Sequence, residues 1–190
     1  MSTAVASRLC TEQEYLASER EAEVRHELLN GEIYEMPGGT RGHSLIVTNV
    51  LAGLHRLLAA RDCEVHRSDM RVRIPGVNLI TYPDVSALCG APQLLDGSRD
   101  VLLNPQVIFE VLSESSESYD RGDKFQYYRQ LPSLADYLLV SQAKVLVEHY
   151  TRQADDSWNL RELHSGSTLE LTSIGCALEV DDVYRKVFCP

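Results

Sequence analysis

The chain has 190 residues, 44% of them hydrophobic, with 18 Lys and Arg against 28 Asp and Glu for a formal net charge of −10. That length and apolar content suit one domain spanning residues 1–190 with a substantial core. The acidic balance argues against a protein that coats nucleic acid by bulk electrostatics, but not against one whose local site meets a phosphate.

Residues 11–23, with Thr11 as N-cap and Glu14 three residues on, predict a short surface helix opened by a capping box. VRHELL and EIYEM flank Asn30-Gly31, both tolerant of positive φ, and predict a β-hairpin. Pro37, Gly38 and Gly39 break the chain. Beyond them Thr40 caps a segment in which Leu45, Val47, Val50, Leu51, Leu54, Leu57 and Leu58 recur at helical spacing, predicting a helix over about 41–60. EVHRSDMRVRI and LITYPDVSAL, joined at Pro75-Gly76-Val77-Asn78, predict a second hairpin. In its first strand Arg67, Arg71 and Arg73 alternate and so share one face, either tracking a phosphate backbone or forming a solvated surface.

Residues 89–106 read as a connecting loop, and PQVIFEVLS as a strand buried on both faces. SESSESYDRGDKFQYYRQL turns amphipathic and predicts a helix over about 120–131, stopped by Pro132. ADYLLV, KVLVEHYTR and WNLRELHS predict three more strands, and IGCALEVDDVYRKVF a closing strand or loop plus a helical turn.

Cys10, Cys63, Cys89, Cys176 and Cys189 are odd in number, widely spaced and without a CxxC pair, so neither a disulfide framework nor a zinc site is expected. With no run approaching the ~18 apolar residues of a membrane helix and no signal-peptide layout, a cytoplasmic protein without membrane contact is expected.

Asp84 and Glu110 carry the chemistry of this sequence. Each is a carboxylate set in an apolar, strand-like run, where an unpartnered charge costs several kcal/mol to bury. One such acid reads as structural, neutralised by a salt bridge or by protonation. Two on neighbouring strands, one after a proline and with Lys124 soon after at the start of a helix, read as a divalent-metal site. On residues alone, Lys124 also reads as a solvated helix lysine pairing with Asp120 at i, i+4.

In this order, HELLNGEIYEM, RGHSLIV, YPDVSAL, VIFEVLSESS and DRGDKFQYYRQLPSLADYLLV resemble the PD-(D/E)XK restriction-endonuclease-like superfamily, and more closely its Uma-type endonucleases of bacteria. The resemblance covers roughly residues 11–188. It implies an α/β (α+β) fold: a central mixed β-sheet flanked by helices, with an N-terminal β-hairpin and extra C-terminal strands. It further implies Mg²⁺ or Mn²⁺ held by Asp84, Glu110 and the backbone carbonyl of Val111.

The superfamily lysine would stand two residues after the glutamate, where this chain has Leu112. In the Uma-type subset a lysine on the following helix takes its place, which here is Lys124. Glu27 and Glu32 match two acids of the same pattern, as an outer metal ligand or as strand-edge charges, and Glu32 is the one assigned to the site. His26 replaces the usual tyrosine beside them. His43 matches a histidine at a helix start, where the dipole favours the neutral imidazole and a phosphate can bind. Tyr128, one turn after Lys124, either buttresses that lysine or fills core.

The implied activity is a Mg²⁺-dependent endodeoxyribonuclease acting on DNA as a homodimer. The alternative is a catalytically silent nuclease fold used to bind nucleic acid or protein.

Overall fold

The computed structural model describes residues 9–36, 38–95, 100–114 and 116–188. Thr11 caps α1 (Glu12–Glu19) in the reciprocal arrangement its spacing predicts, the Glu14 carboxylate accepting from the Thr11 N–H at 2.9 Å. The helix stops short of residue 23 because residues 20–23 are exposed and offer no apolar side to bury. The hairpin of β1 (His26–Leu29) and β2 (Glu32–Glu35) follows, its turn made by Asn30 at φ 52° and Gly31 at φ 87°. α2 (Arg41–Leu58) starts at the Thr40 cap and buries Ile46, Val50, Leu54 and Leu58, one stripe at helical spacing.

The predicted second hairpin is bent across two layers. β3 (Cys63–Arg67) pairs with β6 (Val85–Cys89) in one sheet, whereas β4 (Arg71–Ile74) pairs with β5 (Leu79–Thr81) in another. The breaks fall at Ser68–Met70 and at Tyr82-Pro83-Asp84, where proline has no N–H to offer a ladder. Arg67 is therefore in a different strand and sheet from Arg71 and Arg73, which alternate within β4. Arg67 pairs with Asp69, Arg73 with Glu12 at 2.7 Å, and Arg71 is buried on Asp100 at 2.7 Å and the Tyr82 hydroxyl at 2.6 Å.

Within the expected connecting loop lies a short strand, β7 (Val101–Leu102), parallel to β4. β8 (Val107–Leu112) is buried along its whole length, as a run apolar at every position but Glu110 predicts.

The next helix spans 117–128 and has three pieces: α3 (Glu117–Tyr119), a π-helical stretch Asp120–Lys124, and α4 (Phe125–Tyr128). β9 (Asp136–Ser141), β10 (Val147–Arg152), β11 (Trp158–Leu163), β12 (Thr168–Leu171), β13 (Cys176–Glu179) and the turn α5 (Val180–Val183) complete the chain.

Six strands form a mixed sheet in the order β11-β10-β9-β8-β6-β3, with β8 and β9 parallel. A five-stranded sheet runs β2-β1-β5-β4-β7, and β12 pairs with β13. One core cluster joins α2 to the six-stranded sheet and the C-terminal elements. A second fills the space between β4, β5, β8, β9 and the 117–128 helix. These two layers hold the ends of β6 and β8 at the meeting of the sheets.

Cys63 and Cys89 form a disulfide, contrary to the expectation from cysteine spacing. Strand register makes it: the two residues face each other in the β3–β6 ladder, 26 positions apart in sequence. Cys10 and Cys176 are free thiols.

Candidate active site

Where the two sheets meet, a cleft of about 890 Å³ opens to solvent, lined among others by Arg25, His43, Tyr82, Asp84, Glu110, Val111, Asp120 and Lys124. Asp84 is not inside a strand. It stands on the bend between β5 and β6, its side chain 15% exposed, with His43 Nε2 2.9 Å from Oδ1 and the Val111 N–H donating to Oδ2 at 2.7 Å. The carbonyl of Val111 points to the same edge of β8 as its N–H, because both groups of a strand residue face one side.

Glu110, in mid-strand on β8, is 4% exposed. Its Oε1 accepts from the Tyr128 hydroxyl at 2.9 Å and pairs with Lys124 Nζ at 3.0 Å. Lys124 is itself 5% exposed, which rules out the solvated-lysine reading. Besides Glu110 it reaches Glu27 Oε1 at 3.4 Å and Asp120 Oδ1 at 3.7 Å. Glu27, from β1 in the other sheet, is fixed by the Thr81 hydroxyl and by the Tyr82 N–H at 3.3 Å.

The electrostatics of this cluster are unbalanced. Glu27, Asp84, Glu110 and Asp120 surround one lysine and one imidazole. Burial pushes the Glu110 carboxyl up to about 8, with Lys124 opposing and Asp120, Asp84 and Glu27 adding to the rise. Burial likewise raises Asp120. For Lys124 burial acts to lower the value, yet Glu110, Glu27, Tyr128 and Asp120 outweigh it and hold the ammonium well above the ordinary lysine range. The hydrogen bond from His43 to Asp84 raises the imidazole above its usual value against opposing burial. That carboxylate acts against the helix dipole, which favours the neutral imidazole.

The structure thus brings together Asp84, Glu110, Lys124, Glu27, His43, Tyr128 and the backbone of Val111. It leaves Glu32 outside: β2 is exposed along its length, and the Glu32 carboxylate accepts from the Tyr34 hydroxyl. Register puts Glu27 and Glu32 on the same face, Glu27 opposite Tyr34 and Glu32 opposite Leu29; what separates them is the strand, since β1 lies between β2 and β5 whereas β2 is the edge of the sheet.

Three contributors were missed. The sequence marks Asp120 only by its i, i+4 spacing to Lys124, as the partner of a solvated lysine, whereas the structure buries both. Tyr82 and Gln142 gave none; the latter donates from Nε2 to the Leu112 carbonyl at 2.7 Å and accepts from Thr40, tying the start of α2 to the end of β8.

The model of a family described as "Uma2: Putative restriction endonuclease" matches residues 12–181. The chain belongs to that family. Two Synechocystis proteins, each named only as an uncharacterized protein, are similar along most of their length. One, slr1290, is 38% identical over 91% of this chain and 90% of its own. The other, sll1609, is 35% identical over 86% and 92%.

A crystal structure described as a putative nuclease belonging to DUF820, from Anabaena variabilis, superposes with a TM-score of 0.72 at 14% identity, covering 88% of this chain and 93% of that one. At that identity the likeness establishes the fold, which is the α+β restriction-endonuclease-like one. Asp84, Glu110 and Lys124 all lie within the matched Uma2 stretch.

Among the described residues no group of three or more His, Cys, Asp or Glu side chains is arranged to hold a metal. The donor set nonetheless fits a hard cation. It offers two carboxylates and a backbone carbonyl, all oxygen, and Mg²⁺ ordinarily takes only one or two carboxylates, completing its shell with water and substrate phosphate. The surplus of acids over cations is what such an ion would neutralise. No helix among the described residues is long and apolar enough to cross a membrane.

Proposed function

We propose that this chain is a divalent-metal-dependent endonuclease hydrolysing phosphodiester bonds of DNA. The observation that carries the reading is the buried Glu110–Lys124 pair at 3.0 Å beside Asp84, on the floor of an open cleft, in a chain of a restriction-endonuclease family. Asp84, Glu110 and the Val111 carbonyl are the groups that would hold Mg²⁺ or Mn²⁺. When bound, the ion supplies Lewis-acid polarisation of a phosphoryl oxygen and a more acidic water.

The chain's own residues do the rest. Lys124, held charged by three carboxylates, presents an ammonium where negative charge grows as the phosphorus gains a fifth oxygen. Tyr128 and Lys124 both engage Oε1 of Glu110 and so orient that carboxylate. The Val111 N–H and His43 fix Asp84 from two sides. A homodimer would present two such clefts, one to each strand of a duplex, and a cytoplasmic location suits a DNA substrate.

A silent binding module is the second reading, favoured by the same hydrogen bonds, since protein donors already engage both carboxylates. The test is nicking and linearisation of supercoiled plasmid with Mg²⁺ or Mn²⁺. Metal-dependent cleavage by the wild type, abolished in Asp84→Ala and in Lys124→Ala, is the expected result. Equal trace activity in all three proteins would overturn the nuclease reading in favour of the silent one.

A further inference from the structure

The cleft poses a problem for an anionic substrate. Its lining carries Glu35, Asp84, Glu110, Glu114 and Asp120 against Arg25, Lys124 and the imidazole of His43, which is engaged on Asp84. Lys124 is buried and spent on Glu110, Glu27 and Asp120. Arg25 is different. Its side chain is 45% exposed, immediately before β1, and its guanidinium lies 5.7 Å from the centre of the Tyr82 ring. One nitrogen donates to Ser68 Oγ at 2.8 Å, and another pairs with the carboxylate of Asp69.

We infer that Arg25 is the substrate-binding residue that takes a phosphate next to the one being cleaved; this deepens the nuclease reading and rests on it. Three features converge. A guanidinium presents parallel N–H donors that match phosphate oxygens as they match a carboxylate, so Asp69 stands where a phosphate would be received. The face of Tyr82 supports the cation and limits its swing, and Tyr82 is separated from Asp84 by Pro83 alone, which ties the arginine's place to that of a metal-holding carboxylate. Finally, Asp69 has a second cation, Arg67, so it stays compensated when Arg25 turns to the substrate.

The same contacts also suit a purely structural clamp between the Ser68–Met70 turn and the approach to β1. Salt dependence separates the two roles. The full-length protein would be assayed on a fluorescein-labelled duplex, binding with Ca²⁺ and cleavage with Mn²⁺, across a range of KCl concentrations. Arg25→Ala is expected to raise Kd and KM about tenfold, to move kcat less, and to lower the slope of log Kd against log salt by about one, the signature of one lost phosphate contact.

Arg25→Lys keeps the charge and is expected to restore the slope with partial affinity, whereas Asp69→Asn frees the guanidinium and is expected to tighten binding. Arg161→Ala, removing an exposed charge on β11, serves as the control and leaves the slope as it was. If wild type cuts but Arg25→Ala shows the wild-type slope and KM with only a lowered Tm, the arginine is a clamp and the inference fails. If wild type itself neither binds nor cuts the duplex, the nuclease reading fails first.

Discussion

Replacing Lys124 by Met tests whether the lysine is what makes the buried acids tolerable. In the folded chain Nζ lies 3.0 Å from Glu110, 3.4 Å from Glu27 and 3.7 Å from Asp120, with each side chain 12% exposed or less. Methionine fills similar volume without charge, so packing changes little while three carboxylates lose their common cation. Removing one partner of a buried pair costs about 3–5 kcal/mol. At roughly 2–4 °C per kcal/mol for a chain of this size, Tm should fall by about 10 °C.

The acids can escape by protonating, so the loss should shrink as pH falls from 8 toward 5. Urea unfolding of wild type, Lys124→Met and Lys124→Met/Glu110→Gln at pH 5 and pH 8 measures this, and the double variant should recover part of the loss. A Lys124→Met protein within about 0.5 kcal/mol of wild type at pH 8 would refute the reasoning, because that is the range of an ordinary surface change.

Other outcomes follow from the same geometry. Glu110 has its folded-state value raised to about 8 from 4.5, so the proton it holds favours folding below about pH 4.5 and that contribution is lost as pH rises through 8. Glu110→Gln should therefore flatten the decline in stability over that window, as read by chemical denaturation at several pH values. Mn²⁺ at ten times its Kd should stabilise the wild type by about 1.4 kcal/mol and leave Asp84→Ala unmoved in a thermal-shift titration without DNA. Leu54→Ala, at a fully buried position of α2, should cost about 2–5 kcal/mol in equilibrium unfolding while the cleft residues keep their contacts.

What the sequence made legible was local. The Thr11 capping box, the Asn30-Gly31 turn, the stripe on α2 and the apolar run of β8 are each decided by residues within a few positions of one another. Glu110 was legible for the same reason, as a charge in the middle of such a run. The division of strands between two sheets was not, because a bend at Tyr82-Pro83-Asp84 leaves both halves of the segment looking like good strand. That one omission puts Asp84 within a strand, aligns Arg67 with Arg71 and Arg73, and hides the register that joins Cys63 to Cys89. Glu27 and Glu32 differ by five positions around a turn and share a face, and only the order of strands, with β1 inside the sheet and β2 at its edge, tells which meets Lys124.

The cleft is thus a seam between two layers and not a hollow in one. Glu27 belongs to the five-stranded sheet and Glu110 to the six-stranded one, and Lys124 bonds to both. The lysine is a rivet as well as a charge. Any variant at this position loosens the join at the moment it removes the ammonium, so lost cleavage in a Lys124 variant has chemical meaning only if amide exchange at Thr81, Tyr82 and Val111 shows the seam still closed.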